Sequence, residues 1–179
     1  MAVRLAGLIL TILVCAAATA LAADGGRTET FDGTCHMTGL LRQSPPITNT
    51  PQEGRAAARV RGTCSGTLTD ARGRTHELSD ASARYAARAG GSMSCGGGTA
   101  EGQGYLQIAG RRVRFLFSEV RGPGVAAVSL QGRAGGSATG TAHVAADENP
   151  ADIAQRCSSA GLRSVHIELD LTTTPAISG

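Results

Sequence analysis

The chain has 179 residues, with 17 basic and 14 acidic side chains for a formal charge of +3, and only three Phe, two Tyr and no Trp. Every basic residue is an arginine, which excludes chemistry built on lysine: a P-loop, a Schiff base or a Ser-x-x-Lys nucleophile pair. A charge this close to zero is no nucleic-acid footprint, and so few aromatic side chains leave little to stack on bases or sugars.

Residues 1–22 read as a secretory signal peptide, with one positive charge at Arg4, an apolar run from Leu5 to about Ala18, and small residues at Ala20 and Ala22. The run is shorter than the roughly 20 residues that span a bilayer, and Val14 before Cys15 argues against a lipid anchor there. The expectation is therefore removal of 1–22 and a single secreted domain over 23–179, with no transmembrane segment after cleavage. That domain keeps 16 basic and 14 acidic residues. Its Leu, Ile, Val and Phe number 25 of 157, a low share for a packed core. A domain so poor in large side chains needs covalent help, which an exported chain can obtain from disulfides.

From there on the pattern is that of strands. Val60, Gly62, Cys64, Gly66 and Leu68 share one face, and so do Val113, Phe115 and Phe117. The stretch from Val165 to Leu171 alternates strictly, which means one buried face and one wet face. Turn signals at short intervals, such as 70–73, 109–111, 122–124 and 133–136, imply hairpin connections. The predicted fold is all-β, a single antiparallel β-barrel or sandwich of about nine strands. The strands are expected near residues 28–40, 57–69, 74–87, 92–95, 100–109, 112–121, 125–132, 137–145 and 162–173. Glycines within strands, among them Gly62 and Gly140, permit tight coiling and favour the barrel. The proline-bearing stretch 42–54 reads as a surface loop that would rim an opening. One short helix is expected near 150–160, with Asn149 as N-cap, Pro150 at the first position and Gly161 ending it in αL geometry. Ile153 and Cys157, four apart, share its buried face.

Gly62-x-Cys64-x-Gly66 has the spacing of a nucleophile elbow, but an elbow is a sharp strand-to-helix turn. Here the strand pattern runs on through Leu68 and ends in a hairpin turn, so a catalytic Cys64 is not expected. The four cysteines after residue 22, Cys35, Cys64, Cys95 and Cys157, are instead expected to form two disulfides. If strands 28–40 and 57–69 are antiparallel neighbours, Cys35 can oppose Cys64, leaving Cys95 with Cys157. Four cysteines allow three connectivities, and this one is a preference.

His166, Glu168 and Asp170 are the most site-like cluster. They project from one strand face about 6.6 Å apart, close enough for neighbours to share a metal ion, and His143 could join them from an adjacent strand. The plainer reading is the solvated face of an amphipathic strand. Ser65, His76 and Asp80 can be cast as a triad, though triads are recognised by geometry. Gly96-Gly97-Gly98 and Gly135-Gly136-Ser137 open no predicted helix and read as turns rather than phosphate loops.

Taken together, Phe31-x-Gly33-x-Cys35, Ser44-Pro45-Pro46, Gly62-x-Cys64-x-Gly66, the Ser94–Gly98 stretch and the closing Cys157 resemble a group of secreted, disulfide-bridged all-β proteins of actinobacteria with no known activity. The resemblance implies export and a bridged β fold and assigns no catalytic residue. The expected function is a secreted, non-enzymatic β domain that binds a small ligand, a cell-envelope component or a partner protein, with no cofactor and no nucleic acid. The alternative is a secreted hydrolase or metal-dependent enzyme using the His166/Glu168/Asp170 face.

Overall fold

The computed structural model describes residues 28–179, so the expected signal peptide lies outside the described residues. Eight antiparallel strands close into an up-and-down barrel: β1 (Thr30–Ile47), β2 (Gln52–Thr69), β3 (Thr75–Ser94), β4 (Gly97–Ile108), β5 (Arg111–Gly122), β6 (Val125–Gly132), β7 (Ser137–Val144) and β8 (Leu162–Thr173). Each strand pairs with the next, and β8 pairs with β1 to close the ring. A nine-residue helix, α1 (Pro150–Ser158), lies between β7 and β8. A two-residue strand, β9 (Ile177–Ser178), adds to the start of β1.

The alternation read from the sequence is what the barrel uses. On β8, Val165, Ile167, Leu169 and Leu171 are buried, while His166 and Asp170 are exposed and Glu168 is half-buried. On β5, Val113, Phe115 and Phe117 point inward, Phe115 stacking on Tyr85 at 5.3 Å and meeting Phe117 edge-on at 6.3 Å. Most inward side chains are apolar and most outward ones polar. That is the reverse of a transmembrane barrel, whose lipid-facing side is the apolar one.

Glycine is required where β1 and β2 approach each other. A Cβ on Gly62 would sit 2.0 Å from the carbonyl oxygen of His36, and one on Gly66 would sit 2.6 Å from the Cα of Gly33. No side chain fits at such separations.

The expected helix forms, with the Asn149 side chain accepting from the Ala151 amide at 2.9 Å and Gly161 (φ +82°) donating its amide to the Arg156 carbonyl at 2.8 Å. Three expectations are corrected. The stretch 42–54 is mostly strand: β1 runs to Ile47 and β2 begins at Gln52, leaving only 48–51 as a connection. Prolines 45 and 46 are tolerated because the β1–β8 ladder is interrupted between Arg42 and Ile47, where no amide donor is needed. The short strand expected at 92–95 is the end of the long β3, which pairs with β2 along most of its length and with β4 from Ala83 to Ser94. The ninth strand is instead β9, too short to show a period, although its Ile177 is buried against the barrel.

Candidate ligand-binding site

Cys35 faces Cys64 directly across the β1–β2 ladder, and the two form a disulfide. Cys64 is therefore a bridge member in mid-strand and carries no thiol for an elbow. The second disulfide, Cys95–Cys157, ties α1 to the turn between β3 and β4. α1 thereby lies across the barrel end formed by the β1–β2, β3–β4 and β5–β6 turns. Its only buried residue is Cys157, with Ile153 packed partly against the core.

Under α1 lies a cavity of about 140 Å³. Its wall is mainly apolar, with Leu41, Val128, Val165, Ile167, Ile153 and Cys157 among its residues, and the polar groups that line it include Gln43, Glu119 and Arg121 as well as Ser94 and His143. Gln43 is only 6% exposed, and neither atom of its amide has a hydrogen-bond partner. Leaving such a group unpaired costs about 1–3 kcal/mol. Glu119 and Arg121 form an ion pair, with the Arg121 Nε donating to Glu119 Oε1 at 3.0 Å, and both side chains are 10% exposed. On β5 they continue the inward row of Val113, Phe115 and Phe117, so the barrel interior changes from aromatic to ionic toward α1. Burial pushes the Tyr85 phenol well above its usual range, and the negative charge of Glu119 adds to the shift.

The outer face of β8 carries the residues expected to form a site, but they form separate pairs. Asp170 Oδ1 lies 2.7 Å from His36 Nδ1, Glu168 Oε2 lies 3.1 Å from His143 Nε2, and His166 Nδ1 lies 3.2 Å from Asp147 Oδ2. The structure thus brings His143 to Glu168 as foreseen and adds His36 and Asp147 from outside the expected set. Among the described residues no group of three or more His, Cys, Asp or Glu side chains is placed to hold a metal ion. The hydrogen bond to Asp170 holds the His36 imidazolium above its ordinary pKa, against a smaller effect of burial. The sign follows: a raised folded-state pKa adds stability that is fully present below the unfolded value near 6.5 and is lost as the pH rises through the folded pKa. Because both side chains are more than half exposed, the gain is small. We expect Asp170→Asn to return the His36 titration midpoint, read by NMR, to the ordinary value; an unchanged midpoint would show that the pair does not form in solution.

Ser65, His76 and Asp80 do not form a relay. The Ser65 hydroxyl accepts from the Asp80 amide at 3.0 Å, while His76 Nε2 points to Asp70 at 3.6 Å. Asp70 is buried at the far end of the barrel, where it accepts from the amides of Arg72 and Arg74 and from the Arg74 guanidinium. The backbone hydrogen bond from Arg74 and the neighbouring guanidinium hold its carboxyl well below the usual carboxylate range. This closes the β2–β3 hairpin and leaves no capacity for a ligand. The glycine runs join strand ends: Gly97 and Gly98 open β4, and Gly135 bridges to Ser178 of β9.

Fold and site together define a helix-capped, disulfide-bridged antiparallel barrel with a pocket at its helix-bearing end. Comparison with known proteins found no matching family, no matching curated protein and no matching solved structure.

Proposed function

We propose that the protein is a secreted, non-enzymatic binding domain whose barrel holds a small, largely apolar molecule beneath α1. The unpaired Gln43 amide carries this reading. It presents a donor and an acceptor side by side in an apolar cavity, which complements a carboxylic acid, a primary amide or a lactam. Size limits the ligand further, since a cavity of roughly 150 Å³ accepts a benzene-sized body. Small closed barrels of eight strands have room for one such ligand. Two disulfides and a thin core suit an oxidising compartment outside the cytoplasm.

Thermal-shift titration with benzamide, benzoic acid and toluene tests the proposal. Ligand at a hundred times its dissociation constant raises stability by about 2.7 kcal/mol. Benzamide or benzoic acid is expected to raise the Tm of the wild type, and Gln43→Leu is expected to abolish that shift while leaving toluene binding intact. No shift with any of the three, or equal benzamide shifts for wild type and Gln43→Leu, would refute the assignment.

A further inference from the structure

The small net charge conceals an excess of arginine on one side of the barrel. Seven arginines project from the outer side of β2 to β5: Arg55, Arg59 and Arg61 on β2, Arg84 and Arg88 on β3, and Arg112 and Arg114 on β5. None of them lies within 4.0 Å of a carboxylate among the described residues, whereas Arg74, Arg111, Arg121 and Arg156 are all paired. Arg61 stands directly opposite Arg84 in the β2–β3 ladder, an arrangement of like charges that destabilises a sheet unless anions neutralise it. Arg59, Arg61, Arg84 and Arg88 surround an open depression of about 570 Å³ whose floor includes Ala57 and Ala86. The same outer side also carries Glu53, Glu77 and Glu101, all exposed, with Glu101 beside Val120, so its seven arginines leave it a net positive face and not a purely basic one; Asp170, Glu168 and Asp147 lie on the β1–β8 side.

An apolar strip borders this basic face. Among the described residues, the large hydrophobic side chains that stay exposed are Leu116 at 49%, Val120 at 64% and Val125 at 46%. Leu116 and Val120 are on the outer row of β5, which runs Arg112, Arg114, Leu116, Ser118, Val120, and Val125 begins β6 at the mouth of the cavity. Arg55, Arg88 and Leu116 line one common depression, so the basic and apolar groups are contiguous. A soluble polyanion would use the arginines but has no use for the apolar strip. Single-stranded nucleic acid lacks a stacking platform here, because Arg112 covers the Tyr105 ring at 4.3 Å.

We propose that the β2–β5 side docks on an anionic phospholipid surface, the arginines meeting headgroup phosphates while Leu116, Val120 and Val125 enter the interfacial layer. Guanidinium groups match phosphate oxygens through paired hydrogen bonds, and exposed apolar side chains beside basic ones are the composition of a peripheral membrane face. The proposal stands independently of the cavity assignment.

Co-sedimentation of residues 23–179, which contain the whole barrel, tests it with phosphatidylcholine vesicles and with mixed phosphatidylcholine/phosphatidylglycerol vesicles. Binding to the mixed vesicles alone, weakened by salt, is the expected result. Each basic residue near an anionic surface is worth roughly a fivefold change in partitioning, so the pair Arg59→Gln/Arg88→Gln is expected to lose about 25-fold. Leu116→Ser is expected to lose roughly fivefold on vesicles and nothing on soluble polyphosphate. Arg163→Gln, on the opposite side, serves as a charge control and should leave binding unchanged. All four side chains are exposed, and unchanged thermal midpoints verify that the variants fold. Equal binding to neutral and anionic vesicles, or no loss in Arg59→Gln/Arg88→Gln, would overturn the proposal. Polyphosphate binding as tight as vesicle binding, with Leu116→Ser neutral on both, would overturn it in favour of a soluble polyanion.

Discussion

Replacing Cys95 and Cys157 together by alanine is expected to lower stability by about 4 kcal/mol and to release α1 before the barrel unfolds. The first part follows from loop closure: the bridge spans a sequence separation of 62, and the chain-entropy estimate for a loop of that size is about 4.3 kcal/mol. The second part follows from what else holds the helix. Nine residues are too few for a stable helix in water, and α1 buries only Cys157 fully, with Ile153 as its second apolar contact. Its remaining anchors are polar, the Arg156 guanidinium reaching the Ser164 carbonyl and Glu148 at 3.3 and 3.2 Å. Hydrogen exchange at 150–161 should accelerate more than exchange in β2 or β3, and the Tm should fall by about 10 °C or more. Because α1 roofs the cavity, retention of small apolar ligands should weaken in parallel. A Tm within a few degrees of wild type, with protection at 150–161 unchanged, would show that the helix is held by packing. The Cys35–Cys64 bridge differs in kind. It joins residues already opposed in a continuous ladder, so its loss should cost stability without freeing a separate element.

The strands were legible wherever one face is buried and the other solvated, because period two then appears directly in the residue types, as in Val165 to Leu171. The helix was legible because its start depends on local chemistry, Asn149 followed by Pro150, and its end on Gly161. The cavity was not. Gln43 lies in a stretch whose prolines argue for a loop, and only the tertiary arrangement shows that the ladder there needs no amide from Pro45 or Pro46. Glu119 and Arg121 were in phase with Val113, Phe115 and Phe117, yet charged residues at inward positions contradict the usual rule, so alternation and polarity pointed in opposite directions. The arginine face was hidden for another reason. Its members are spread over three strands and 60 residues of sequence, and net charge averages them against all the acids of the chain.

Glu119 and Arg121 offer the sharpest separation of stability from function. Removing one member of a buried ion pair leaves the other charge uncompensated, and such single changes typically cost 3–5 kcal/mol. With both side chains 10% exposed, Arg121→Leu is expected to fall near the lower end of that range, about 3 kcal/mol. Replacing both members with apolar residues removes the desolvation penalty together with the attraction, and such replacements are often neutral or stabilising. Glu119→Leu/Arg121→Leu should therefore recover most or all of the loss in denaturant unfolding. If the pair served stability alone, the double variant would be an improvement at no cost, and the barrel would have a simpler solution in continuing its aromatic row with two more apolar side chains. Its position at the cavity wall, where Gln43 also lies, places it to meet a polar headgroup if the proposed ligand binds there. The double variant is accordingly expected to be as stable as wild type while losing the benzamide or benzoic acid shift and keeping that of toluene. If it binds all three as wild type does, the ion pair has no part in ligand recognition. If it is as destabilised as Arg121→Leu, the pair is needed for packing and the separation fails.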